Sequence, residues 1–379
     1  MIQQEKEWYE LLYAQISQGS DKYGESVKLQ TAVWEDKIPD KQPLLLSCSP
    51  PGEYAKNIPN YNTKEIHNDK TKMLLSGMKS MLSPAFSCMQ SVPSIRANMG
   101  CGIYPSLFPG IKPMLFDDGK MPWIVSHLGY DELRNMQEKD IKITDEFQMA
   151  LEHTAYIAEH ISGSGAFVFQ LDLQDPFAVA HLVYGDEIFY ALYEEPEFVH
   201  HLLELSCRAI ELGLAECLKI IPGSADVLAH YNNVVIPRSR GGLKISLDTA
   251  TLLGAEHIEE FVLPYTNRVL DLAGGGYIHY CGRNDRLFDL VLRQDKIYGL
   301  NFGQPDMHDM NDVLKKLSQA GKIYYGTVPM QAGEDYAAYF ARVRAAATTD
   351  GRCRLLLELG AAYDKQEAIK SAWESVDVL

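Results

Sequence analysis

Short apolar runs recur along this chain, and stretches with apolar residues at three-to-four spacing separate most of them. The runs fall at residues 44–48, 92–99, 166–173, 225–231, 277–281, 297–302, 323–328 and 353–359. The helical patterns are clearest over residues 198–221, 257–272, 310–320, 335–347 and 365–376. Strand-like runs alternating with helices predict parallel strands joined by outer crossover helices, an α/β fold. A (β/α)8 TIM barrel is the economical closure, with residues 1–42 as an N-terminal helical extension, 43–379 as the barrel, and long early insertions. A doubly wound open sheet is the runner-up. It lacks support, because no G-x-G-x-x-G follows a strand and no G-x-x-x-x-G-K-[ST] occurs.

Composition narrows the partners. The chain has 379 residues, 46% of them apolar, enough for a substantial core. A formal charge of −16 without a basic tract argues against nucleic acid or an anionic membrane surface. No stretch approaches the ~18 unbroken apolar residues of a membrane span, and MIQQEKEWYELL lacks a signal-peptide core. Seven scattered cysteines, an odd number, point to free thiols and a cytoplasmic setting. A small-molecule substrate is expected, and self-association stays open.

In a barrel of this kind the chemistry lies at the C-terminal strand ends. That rule singles out Arg96, Asn98 and Cys101, then Asp172 and Asp175, then His230, Tyr231 and Asn232. His279 and Cys281 follow, then Asn301 and Gln304, and finally Glu358. His279 and Cys281 stand two apart on a strand, so they share a face and offer zinc an N/S pair. For a third ligand Glu358 is preferred to Cys353. Cys353 opens its strand, roughly 16 Å from the far end at about 3.3 Å per residue.

Arg238, Arg240 and Lys244 cluster in a segment expected to be a loop, and suit carboxylate, sulfonate or phosphate. Asp248 follows them. Asp172 is a candidate acid or base, whereas Asp175-Pro176 reads as a helix cap. The expected catalytic groups are thus Asp172, His230 and Asp248. The expected substrate contacts are Arg96, Arg238, Arg240, Asn301 and Gln304, and the metal ligands His279, Cys281 and Glu358. His181, His200, His201 and His257 fall in helical stretches and read as surface or core residues.

The stretch ISLDTATLLGAEHIEEFVLPYTNRVLDLAGGGYIHYCGR, followed by NFGQPDMHDM and YYGTVPM, resembles the uroporphyrinogen decarboxylase superfamily. That superfamily also holds the methylcobamide:coenzyme M methyltransferases. DPFAVAHLVYGDEIFYALYEEPEFVHHLLE is similar to its helical pair, and the resemblance spans roughly residues 90–379. The decarboxylases carry an early arginine-bearing loop; here that place reads SCSPPGEYAKNIPNYN, and no arginine precedes Arg96. The resemblance therefore implies the methyltransferase branch, with His279 and Cys281 as the metal pair. Zinc would hold a substrate thiol as thiolate, to be methylated by a corrinoid on a partner protein docked over the barrel mouth. The chain departs from that branch in having no cysteine at the far end of its last strand. The alternatives are a metal-free decarboxylase of uroporphyrinogen or another polycarboxylate, and a non-enzymatic corrinoid or tetrapyrrole carrier.

Overall fold

The computed structural model describes residues 1–50, 56–117 and 119–376. Part of the early loop (51–55) and the side chain of Asn232 lie outside the described residues. Two helices, Gln3–Ser17 and Ser20–Trp34, precede the first strand. Twelve strands follow among the described residues: β1 Leu44–Cys48, β2 Ser94–Ile95, β3 Phe167–Val168, β4 Val227–His230, β5 Val234–Pro237 and β6 Leu243–Ser246. The rest are β7 Gly276–Tyr280, β8 Ile297–Phe302, β9 Ile323–Gly326, β10 Thr348–Thr349, β11 Arg352–Cys353 and β12 Leu355–Ala361.

Six strands form one parallel sheet in the order β1-β12-β9-β8-β7-β6. Period-two alternation sorts their side chains. Leu45, Tyr277, Ile323, Tyr325 and Leu356 pack in one small cluster with Val33 and Trp34. Their neighbours Leu44, Leu46, Ile278, Tyr280, Tyr324, Leu355 and Leu357 join the large core under the helices. One face thus meets the helices, and the other meets Trp34. Gly299 makes room for that indole: a Cβ there would come within 2.7 Å of it.

Both sheet edges are bonded to early segments. Beside β6, Ser246 donates its N–H to Leu173 O (3.1 Å), and Asp175 N–H donates to Ser246 O (2.9 Å). Beside β1, Gln90 N–H donates to Leu44 O (3.1 Å), and Ser91 Oγ donates to Leu46 O (2.6 Å). These partners flank β2 and β3, which pair in parallel with each other.

Two expectations need correction. The run at 225–231 does form a strand, but β4 pairs antiparallel with β5 across the turn Tyr231–Asn233. The segment expected to be a loop contains β6, the strand that joins the sheet beside β7. Leu243 and Ile245 alternate with Lys244 and Ser246, a period-two pattern hidden by its brevity and its charge. Its entry is tight. Gly241 has φ +78°, and a Cβ there would strike the Gly275 carbonyl, so only glycine lets the two chains pass.

Candidate functional site

Strand register assembles the site. Ser246 pairs with His279, and His279 with Asn301, so three neighbouring strands present one row at their C-terminal ends. Two residues further on, Asp248 and Cys281 meet in the next row, where Cys281 N–H donates to Asp248 Oδ1 (2.6 Å). Gly303 keeps this corner open, since a Cβ there would lie 2.5 Å from Cys281 Sγ.

The proton on His279 follows from its neighbours. Asn301 Nδ2 donates to Tyr325 O (2.7 Å), which turns Asn301 Oδ1 toward His279 Nδ1 (2.5 Å). An amide oxygen only accepts, so Nδ1 carries the hydrogen and Nε2 keeps its lone pair. That Nε2 lies 3.7 Å from Cys281 Sγ and 3.9 Å from Asp248 Oδ1. Ligand atoms of the three residues all fall within 4.8 Å of one another. Nitrogen and sulfur bound to one tetrahedral zinc stand about 3.6 Å apart, so the imidazole–thiol spacing fits such an ion.

Electrostatics point the same way. Burial, joined by Lys244, pushes the His279 pKa down against the pull of Asp248, which favours the neutral imidazole a metal needs. Burial and then the Asp248 carboxylate push the Cys281 thiol up. A thiolate beside a carboxylate is costly alone and is compensated by a divalent cation.

A cavity of about 520 Å³ lies alongside, lined by Arg96, Asp172, His230, Lys244, His279, Asn301 and Glu358 among others. Asp172 sits between Arg96 Nη2 (3.3 Å) and Lys244 Nζ (3.3 Å). Burial opposes its ionisation, but the two cations outweigh that and hold the carboxyl well below the usual range. Lys244 also donates to Ser246 Oγ, and Arg96 to Asn98 Oδ1 (3.3 Å). His230 is buried with Nε2 2.7 Å from Gly242 O; burial pushes its pKa down to about 3, so it stays neutral. Asp175 caps the helix Pro176–Tyr184 by accepting from Phe177 and Ala178 N–H, as its sequence context predicts.

The expected residues do not all converge. Arg96, Asp172, His230, Asn301 and His279 line the cavity. Glu358 lines it too, but the third donor beside His279 and Cys281 is Asp248, expected as a catalytic group. The reason is strand order: β6 adjoins β7, whereas β8 and β9 separate β12 from it. Cys353 is buried near the opposite strand ends and pairs with Thr348. Arg238 and Arg240 precede β6 and also lie at that opposite end. Arg238 Nη1 donates to Gly241 O (2.7 Å), and Arg240 covers the Tyr298 ring at 4.8 Å. Neither lines the cavity among the described residues. Gln304 sits on the rim, where its Oε1 accepts from Gly282 N–H (2.6 Å). Sequence reasoning placed Lys244 with the loop arginines, and it missed Tyr277 and Tyr325 as cavity walls.

No family model matches this chain, and no curated protein matches it.

Proposed function

We propose that this chain is a cytoplasmic (β/α)8 barrel enzyme of the uroporphyrinogen decarboxylase superfamily, a zinc-dependent, corrinoid-linked methyltransferase to a thiol acceptor. Closure of the barrel is supported by the early segments bonded to both sheet edges. The strand order also runs without the reversal that marks a doubly wound sheet. The observation that carries the activity is the convergence of His279 Nε2, Cys281 Sγ and the Asp248 carboxylate at the strand C-termini.

Three protein ligands leave a fourth position for substrate. A zinc ion held there supplies the Lewis acidity that keeps a bound thiol ionised near neutral pH. Asn301 fixes the imidazole so that its lone pair faces the site. Arg96 and Lys244 hold Asp172 ionised and so fix one wall of the cavity. A methylated corrinoid on a partner protein would supply the methyl group, and Asp248, His279 and Cys281 would hold the zinc that presents the acceptor sulfur.

Elemental analysis of protein purified without added metal is the test. Zinc near stoichiometry, lost on His279→Ala, is the expected result. Metal content at background in both proteins overturns the reading. A second reading, a metal-free decarboxylase, is favoured by the two cations in the cavity. It requires carbon dioxide release from uroporphyrinogen or a simpler polycarboxylate in the presence of chelator, abolished by Lys244→Ala.

A further inference from the structure

β7 ends one residue short of Cys281, and its register with β8 stops at the pair Tyr280–Phe302. A ligand placed just beyond a strand needs its Cα–Cβ direction fixed by something other than the sheet. Peptide units are planar, so pinning the plane on each side of a Cα sets that direction. The plane between Tyr280 and Cys281 is held twice. Gly303 N–H donates to Tyr280 O (2.9 Å), and Cys281 N–H donates to Asp248 Oδ1 (2.6 Å). The plane between Cys281 and Gly282 is held by Gln304, whose Oε1 accepts from Gly282 N–H (2.6 Å). The plane beyond is held by His308. Its Nε2 lies 3.2 Å from Gly282 O, and a carbonyl only accepts, so that nitrogen carries the hydrogen. The His308 ring is itself stacked on Phe302, with centroids 3.9 Å apart.

Its place at a strand end makes Gln304 a candidate substrate contact. Among the described residues that line the 520 Å³ cavity, however, neither Gln304 nor His308 occurs. Both belong to the segment that follows β8, and both bond the main chain of Gly282. We infer that Gln304 is a positioning residue for Cys281. It fixes the second of the two peptide planes and so aims the thiol at Asp248 and His279, while His308 steadies the plane beyond. The inference rests on the metal reading above and assigns what presents the sulfur, as Asn301 presents the imidazole.

The test uses the full chain with two readouts. Sulfur-to-cobalt absorption of the Co(II)-loaded protein reports Cys281 in the coordination sphere, and amide exchange at Gly282 is followed in the metal-free protein. Gln304→Met keeps the length of the side chain and loses the acceptor, whereas Gln304→Glu keeps an acceptor. For Gln304→Met, Co(II) affinity by chelator competition is expected to fall about tenfold. The sulfur–cobalt band should weaken per bound ion and Gly282 should exchange faster, with the melting temperature close to wild type. Gln304→Glu should restore both the band and the slow exchange. If it raises affinity without restoring them, charge alone is at work and the inference is overturned. His308→Phe, which keeps the stack on Phe302, should show smaller changes in the same direction. A wild-type band, affinity and exchange in Gln304→Met also overturn the inference, and a loss confined to thiol affinity makes Gln304 a substrate contact instead. Should Co(II) not bind the wild-type protein, the metal reading fails and Gly282 exchange decides alone. Acceleration in Gln304→Met, reversed in Gln304→Glu, then supports the positioning role, and equal rates overturn it.

Discussion

The two ends of the parallel strands use charge differently. At the N-terminal end Arg354 forms an ion pair with Asp36 (Nε to Oδ1, 2.8 Å) and donates to Asp36 Oδ2 (3.1 Å) and to the carbonyls of Ser318 and Thr349. Lys322 is shared between Gln294 O and Ile297 O there, and burial pushes its pKa down to about 8. These cations are bound to fixed acceptors, and neither is among the described residues that line the cavity of about 420 Å³ at that end, beside Gln42, Arg344 and Cys353. At the C-terminal end the contacts around Asp172, at 3.3 Å, border the 520 Å³ cavity. The N-terminal end therefore reads as scaffold. The C-terminal end keeps polar atoms in reach of a ligand, as parallel α/β sheets do.

The comparison breaks most easily at Asp36. Replacing it with alanine strands the buried Arg354 guanidinium, and denaturant melts should show a loss of about 3 kcal/mol with metal affinity unchanged. If metal binding falls in step with stability, the two ends are not separable. The converse is Asn301→Ala, which leaves His279 in place but frees its tautomer. Metal affinity is expected to drop about 10–100-fold, measured by chelator competition, with a smaller change in melting temperature.

Asp175 sharpens the comparison through pH. Burial raises its carboxyl to about 7, so the folded protein holds a proton that the unfolded chain releases near pH 4. Its contribution is most favourable below pH 4 and is lost as pH rises toward 7. Asp175→Asn keeps an oxygen for the Phe177 and Ala178 N–H groups and removes the titration. Relative to wild type, the variant should gain about 2–3 kcal/mol between pH 5 and pH 8. An unchanged difference across that range would remove the raised carboxyl. The smallest effect is expected at Arg240→Ala, which removes a stacking contact with Tyr298 worth about 0.5–1 kcal/mol. It should leave metal content and thiol binding untouched.

Much of the alternation was legible because β1, β7, β8 and β9 are apolar runs with abrupt ends. The His279–Cys281 pair was legible for the same reason: it sits where one run stops. The approach of Asp248 to that pair was not, because it depends on β6 being a strand. LKIS, four residues after two glycines and an arginine pair, carries too little periodicity to show that by itself. Glu358 was favoured from its place along β12, but a strand's rank in the sequence does not give its neighbours in the sheet. Arg238 and Arg240 show the same limit. Three residues of strand separate them from Ser246, and that short distance carries them to the opposite end of the sheet.

Asn301 has a consequence for how the protein is made. Its side chain ties an imidazole on the preceding strand to the main chain of the following one. Asp248, His279 and Cys281 leave the ribosome before Tyr325, so all three donors exist while the orientation of the ring is still unfixed. On the zinc proposal, capture of an ion in its final arrangement would wait on the pairing of β8 with β9. Metal retention would then report late C-terminal assembly, and nascent chains cut short before Tyr325 are expected to exchange the ion freely.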